Sequence, residues 1–266
     1  MPLITLDSIL AATRTRVAAL RPRTRELERR AAQAPAPRSF AAALGGPSIG
    51  VIAEVKRRSP SAGAIAEDLD PVTHAAAYAR GGAVAISVLT DQAHFGGSIE
   101  DLERVVREVP RPVLRKDFIL DEVQLLEARV AGASAILLIV RALDAGRLPE
   151  LARAARDLGL GVLVEAHNDA ELDAAVAAAP TAIGVNSRDL ATFTVDYRAA
   201  ERLVARVPPE IPAVAESGIE RRADVERFAA AGADLVLVGT AVARTADPAA
   251  AVRDLCGVPR RGRPEQ

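Results

Sequence analysis

From position 49 onward the chain alternates between two hydrophobic patterns. Short unbroken apolar runs, rich in Val, Ile and Leu, occupy 49–55, 83–89, 113–116, 135–140, 161–165, 182–186, 213–217 and 235–239. Runs of this length without polar alternation are those of strands buried on both faces. Between them, stretches such as 99–109, 122–130, 145–158 and 222–230 repeat apolar residues at helical spacing. Several of these end at glycine, at Gly81-Gly82, Gly132, Gly159 and Gly232, the residue that best closes a helix. The phrase Ala131-Gly132-Ala133 returns as Ala231-Gly232-Ala233, each time just before a strand.

Eight strand–helix units predict an α/β fold, a (β/α)8 TIM barrel over 49–256. An open doubly wound sheet is the alternative. It usually carries fewer strands, and no Gly-x-Gly-x-x-Gly follows the first run. Residues 1–48 lie outside the repeat. Helical patterns at 7–19 and 24–33, separated by Pro22, and a short one at 40–44 capped by Ser39 predict an N-terminal helical extension packed on the barrel. Residues 257–266, rich in Pro, Gly and Arg, are expected to form a flexible tail.

Composition narrows the function classes. Half of the residues are apolar, enough for a large core, and the net charge of −1 argues against nucleic acid or acidic membranes as partners. Aromatic residues make up 3% and Trp is absent, which disfavours base stacking. The lone Cys256 excludes an internal disulfide and fits a reducing, cytoplasmic setting. No apolar run approaches the roughly 20 residues of a membrane span, and no signal-type core opens the chain. The basic stretch 14–30 resembles a transit peptide only superficially, because Asp7, Glu26 and Glu28 interrupt or flank it. His74, His94 and His167 are scattered and far from Cys256 in sequence, so no metal site is expected.

One compositional feature points to chemistry. The chain has 34 basic residues, of which only Lys56 and Lys116 are lysines. Arginine keeps its proton at working pH, whereas lysine can be tuned by its surroundings. Both lysines stand where an apolar run ends, and barrels carry their active sites at the carboxyl ends of the strands. Reading the other ends gives Glu54, Ser87, Asp91, Asp117, Glu165, Asn186, Arg188, Glu216, Ser217-Gly218 and Gly239-Thr240. Glu54, Lys56, Lys116, Glu165 and Glu216 form a near-balanced charge set suited to general acid–base work. A ring of ion pairs closing the barrel top is the alternative. The small residues after the seventh and eighth runs, with a short helix expected at 241–244, suit phosphate. The basic loop 56–63 could bind an anion and close as a lid.

These phrases together resemble the indole-3-glycerol-phosphate synthase family over nearly the whole chain. The resemblance rests on Glu54-Val-Lys56-Arg-Arg-Ser59-Pro60-Ser61, Leu114-Arg-Lys116-Asp-Phe118, Val164-Glu165-Ala-His-Asn168, Gly184-Val-Asn186-Ser-Arg188-Asp-Leu190, Ala215-Glu216-Ser217-Gly218 and Val238-Gly239-Thr240. It implies a phosphorylated small-molecule substrate, 1-(2-carboxyphenylamino)-1-deoxyribulose 5-phosphate, closed to an indole with loss of carbon dioxide and water. It implies Lys116 as general acid for ring closure and Glu165 as acid/base in the later dehydration. Glu54 and Lys56 would orient and polarise the substrate. Ser59, Asn186, Arg188, Glu216 and Ser217 would bind it, while Gly218, Gly239 and Thr240 would hold the phosphate. Phe95 and Phe118, with Ile139 and Leu237, would wall its aromatic part. No cofactor is implied, and a monomer suffices. Ala62 stands where many relatives have Lys, and Asp91 where Glu is frequent.

Three rivals remain at this point. A phosphoribosylanthranilate isomerase shares the barrel and phosphate site, but would want a Cys ending the first strand. A Schiff-base lyase would use Lys116 as nucleophile. A catalytically dead barrel would bind a phosphorylated ligand without turnover.

Overall fold

Eight strands close into a parallel barrel in the order in which the chain writes them. The computed structural model describes residues 5–189 and 192–263. The barrel strands are β1 (Gly50–Val55), β2 (Ala85–Leu89), β3 (Val113–Lys116), β4 (Ala135–Ile139), β5 (Gly161–Ala166), β6 (Ala182–Asn186), β7 (Ala213–Glu216) and β8 (Leu235–Val238). Each pairs with its sequence neighbours, and β1 closes the ring against β8 through Gly50 and Leu235. The fold is the (β/α)8 barrel that the periodicity predicts.

Side chains two apart on a strand share a face, so each strand feeds two cores. One parity packs inside the barrel: Ile52, Leu114, Leu137, Leu163, Val214 and Leu235 form one buried cluster. The other parity packs under the helices: Val51, Ala53, Ile136, Val162, Val164, Ala215 and Val236 belong to a second. This is why the runs are unbroken rather than alternating. Continuing the inner parity toward the carboxyl ends leads from Ile52 to Glu54 and Lys56, from Leu114 to Lys116, from Leu163 to Glu165 and from Val214 to Glu216.

Helix ends follow local chemistry. Asp70, Ser98, Asp121, Asn168, Asp196 and Asp247 each cap a helix by accepting a backbone amide. Gly132 (φ +81°) and Gly232 (φ +94°) turn the chain left-handed between helix and strand, which accounts for the repeated Ala-Gly-Ala phrase.

The N-terminal extension consists of α1 (Leu6–Leu20), α2 (Thr24–Gln33) and α3 (Phe40–Ala43), with Pro22 in a short 3-10 turn between the first two. α1 buries Ile9, Leu10 and Val17, and burying each such side chain stabilises by about 1.5–3 kcal/mol. Phe40, 2% exposed, packs against Gly161 at the amino ends of the strands, where a Cβ on that glycine would meet it at 3.0 Å. α1 serves the opposite end: Leu6 and Ile9 line the cavity at the carboxyl ends.

The C-terminal segment departs from the expected flexible tail as far as residue 263. Val258 is 3% exposed and accepts the Ile49 amide. Arg260 binds the Ser48 and Leu44 carbonyls. Arg263 pairs with Asp234 at 2.7 Å and reaches the carbonyls of Gly232 and Ile211. The Gly/Pro/Arg composition here encodes a strap: its arginines satisfy carbonyls at the amino ends of the strands. Residues 264–266 lie outside the described residues.

Candidate active site

The charged set meets at the carboxyl ends of the strands. The Lys116 ammonium lies 3.3 Å from Glu165 Oε2 and 3.5 Å from Glu216 Oε2. Glu54 and Lys56 form a second pair at 2.6 Å. Asn186 ties strand six to strand five: its Nδ2 donates to Glu165 Oε1 at 3.2 Å, and its Oδ1 accepts the Arg188 amide. Glu54, Glu165 and Glu216 are all under 5% exposed.

Two glycines make room for these groups. A Cβ on Gly184 would sit 2.1 Å from Glu216 Oε1, and one on Gly239 would sit 2.5 Å from Glu54 Oε1 and 2.9 Å from Lys56 Nζ. The Glu54–Lys56 pair therefore lies directly against the start of the loop after β8.

Burial and neighbours drive the carboxylates apart. For Glu216, desolvation dominates and the nearby Glu165 adds to it, against the Lys116 charge; its pKa is pushed up to about 8. Glu216 Oε1 finds no hydrogen-bond partner among the described residues. Glu165 is also desolvated, but Lys116, His167 and Asn186 outweigh burial and hold it well below the ordinary carboxylate range. Lys116 is desolvated too, yet Glu165, Glu216 and Glu54 together raise its pKa. One carboxylate thus keeps a proton, the other is ionised, and the amine between them stays charged.

This bears on stability. With a folded pKa near 8, above the unfolded carboxylate value, Glu216 contributes stability at low pH that is lost as pH rises from about 4.5 to about 8. Glu216→Gln is expected to abolish that decline. Urea unfolding of both proteins at pH 5.5 and 8.5 checks this; an unchanged pH slope in the variant contradicts it.

The cavity above these groups has a volume of about 310 Å³, at the lower end of small-molecule sites. Every substrate and phosphate residue expected from the sequence lines it: Ser59, Phe95, Phe118, Asn186, Arg188, Glu216, Ser217, Gly218, Gly239 and Thr240. Phe95 and Phe118 stand 6.4 Å apart and form an apolar wall with Ile139 and Leu237. Also lining the cavity, Ser217 (φ +68°) and Gly218 (φ +72°) take consecutive left-handed conformations. The Ser187 hydroxyl contacts the Glu216 and Ser217 carbonyls, and the Tyr197 hydroxyl donates to the Gly218 carbonyl at 2.7 Å. A helix spanning Thr240–Ala243 starts at the neighbouring loop. Leu190, part of the sixth phrase, lies outside the described residues.

The basic loop after β1 differs from a free anion-binding lid. It folds into a small hairpin pairing Arg58–Ser59 with Gly63–Ala64. Arg57 pairs with Asp101 and donates to the Gly96 carbonyl, while Arg58 donates to the carbonyls of Gln92 and Ala93. Both guanidinium groups are spent on the segment after β2 and the helix Ile99–Glu108 that follows it, and Ser59, Pro60, Ser61 and Ala62 face the cavity.

Several contributors left no local signal. Leu6 and Ile9 reach the cavity from α1, and Arg244 lines it just after the Thr240–Ala243 helix. Beneath Lys116, Asp117 gathers Arg16 (2.8 Å), Arg115 (3.1 Å) and the Thr90 hydroxyl (2.7 Å). His167, which the sequence marks with no role, is wedged between Glu165 and Glu171.

Comparison with known proteins agrees with this geometry. The structure is similar to a thiamine phosphate pyrophosphorylase from Pyrococcus furiosus, with a TM-score of 0.59 at 17% identity over 78% of this chain and 93% of that one. At that identity the likeness concerns the fold alone. Two relatives from Mycolicibacterium smegmatis and Mycobacterium tuberculosis, each described as an indole-3-glycerol phosphate synthase, are 48% and 46% identical. The matches cover 94% and 96% of this chain and 93% and 94% of theirs. The family model for indole-3-glycerol phosphate synthase matches residues 6–255. With that match spanning the extension and all eight strands, the chain belongs to the indole-3-glycerol phosphate synthase family.

Proposed function

We propose that this protein closes 1-(2-carboxyphenylamino)-1-deoxy-D-ribulose 5-phosphate to indole-3-glycerol phosphate, releasing carbon dioxide and water as a carbon–carbon (carboxy-) lyase. The observation that carries this reading is the Lys116 ammonium held between Glu165 and Glu216 under an apolar-walled cavity.

Ring closure joins the aryl carbon that bears the carboxylate to the ketone carbon of the sugar chain. The ketone oxygen becomes an alkoxide as this bond forms, and an alkoxide is more basic than an amine. Lys116, kept protonated by its carboxylate neighbours, is the acid suited to that moment. Loss of carbon dioxide then restores the aryl ring. The remaining hydroxyl must leave as water, and Glu165 serves this step as acid/base. Glu54 and Lys56 polarise and orient the substrate, with Lys56 set between its two anionic ends. Asn186, Arg188, Ser59, Glu216 and Ser217 position it. The aryl group lies along Phe95 and Phe118. The phosphate is held by Gly218, Gly239 and Thr240, where small residues let backbone amides approach an anion.

The net reaction is redox-neutral and needs no redox cofactor. In this reading the enzyme acts in the cytoplasm as a monomer. An isomerase reading is disfavoured because β1 ends in Glu54-Val55-Lys56 rather than in a thiol. Incubation with the synthetic substrate tests the proposal. Growth of indole fluorescence with equimolar carbon dioxide is expected; substrate recovered unchanged, or consumed without an indole product, overturns it.

A further inference from the structure

The side chain of His167 is 3% exposed and lies between two carboxylates. Its Nδ1 is 3.0 Å from Glu171 Oε2, and its Nε2 is 3.4 Å from Glu165 Oε1. Nε2 is buried and has no hydrogen-bond partner among the described residues. A separation of 3.4 Å is longer than a settled hydrogen bond, as is common at catalytic contacts before substrate arrives.

Proton counting makes this arrangement informative. A neutral imidazole carries one N–H. Between two carboxylates it can satisfy only one of them, and turns a lone pair toward the other. Glu171 has the stronger claim. Its Oε2 also accepts the His167 amide at 2.9 Å, Asn168 donates to Oε1, and Arg141 pairs with Oε1 at 2.9 Å. Against its burial, the His167 ring and Arg141 hold Glu171 below the usual carboxylate range, and the ring lies nearer to it than to Glu165, at 3.0 Å against 3.4 Å. Nδ1 therefore keeps its hydrogen on Glu171, and Nε2 is left facing Glu165. That contact becomes attractive only with one further proton between the two atoms.

The surrounding charges confine this proton. From the barrel side, Lys116 on β3 and Asn186 on β6 reach Glu165, with Glu216 on β7 beyond the lysine. From the outside, Glu171 faces the ring, with Arg141 behind it and Asp189 bound to that arginine.

We propose that His167 is a positioning residue that shares one proton with Glu165, loading it as an acid for dehydration and taking the proton back afterwards. This rests on the reaction proposed above. With the proton on Nε2, Glu165 is a carboxylate. Transfer to Glu165 Oε1 makes a carboxylic acid and a neutral ring. As the C–O bond of the leaving hydroxyl breaks, its electron pair departs with oxygen, and the Glu165 proton completes water. The cation left behind loses a proton as the indole becomes aromatic. Glu165 accepts that proton and returns it to Nε2, so the pair ends as it began.

Single-turnover rates of indole formation between pH 6 and 9 test this with His167→Gln, His167→Asn and Glu165→Gln. The side-chain amide introduced by His167→Gln can still donate to Glu165 but cannot release a proton, so it preserves a purely structural role. Both His167 variants are expected to slow the step about 10–100-fold with KM changed less than about twofold. Their rates should climb as pH falls, because Glu165 must then collect its proton from solvent. A His167→Gln enzyme with the parent rate, or with a pH profile merely scaled down, overturns the relay. Should the His167 variants fail to fold, Glu171→Gln supplies the same readout, and a parent-shaped profile there also overturns it. A parent enzyme that makes no indole defeats the reaction itself; a parent that does, with Glu165→Gln impaired and His167→Gln unaffected, defeats only the relay.

Discussion

Lys116→Ala is expected to lower kcat by about 10²–10⁴-fold, the range contributed by a positioned general acid. Geometry and electrostatics both lead to this. The ammonium is the cation closest to both Glu165 and Glu216, at 3.3 and 3.5 Å. Removing it takes away the acid and leaves two buried carboxylates facing each other, so Glu165 should lose its depressed pKa as well. KM should change far less than kcat, because the phosphate loops and the aromatic wall are untouched. Lys116→Arg should not restore turnover. A guanidinium keeps the charge but is a much weaker acid and too broad for the gap. Steady-state kinetics on the synthetic substrate decide the matter. Parent-like turnover by the Ala variant would remove Lys116 from the mechanism, and parent-like turnover by Arg would show that charge alone is needed.

Asp117→Ala is expected to destabilise the fold by about 3–5 kcal/mol, the cost of stripping one partner from a buried ionic network. Asp117 is buried, and its two oxygens accept from Arg16, Arg115, Thr90 and the Phe118 amide. Arg115 is 2% exposed and sits on the outer face of β3, where it also binds Glu127 and the Gln124 carbonyl. Arg16 arrives from α1, so this one carboxylate joins the N-terminal extension to the strand that carries Lys116. Although desolvated, Asp117 is held below the usual aspartate range by Arg115, Arg16 and Thr90. Its stabilisation is therefore present at neutral pH and fades as pH falls through that depressed value. Urea midpoints at pH 7 should drop with little change in m, and the gap between parent and variant should narrow in acid. Equal midpoints at pH 7 would contradict this network's role. Turnover should fall too, because an ångström of displacement at Lys116 can cost about 10²-fold.

The two basic residues that end β3 illustrate what periodicity alone can reveal. Arg115 and Lys116 are adjacent, basic and equally placed at the end of an apolar run. Counting by two from Leu114 sends Lys116 into the barrel and Arg115 outward, and the structure obeys that parity. The same count delivers Glu54, Glu165 and Glu216 to one rim. The small residues that end the last two strands were legible in the same way, and they line the cavity. The hairpin after β1 was not, since nothing local to Arg57 and Arg58 names Asp101 or the Gln92 carbonyl as partners.

By itself, then, the sequence determined the barrel, its strand order, the rim where the charged set meets and the residues on it. These depend on periods of two and of three to four residues, and on which residues end each run, all local properties. Tertiary structure decided how those residues behave. Glu165 and Glu216 are the same side chain at the same level of the barrel, yet one is ionised and the other keeps a proton. The difference comes from Asn186 and His167 on one side and, on the other, an oxygen set against Gly184 with no hydrogen-bond partner among the described residues. It likewise decided that α1 closes the cavity, that Arg16 braces β3, and that residues 257–263 strap the barrel's amino end. Such effects arise from charges and apolar surfaces brought together across many tens of residues, and no local period records them.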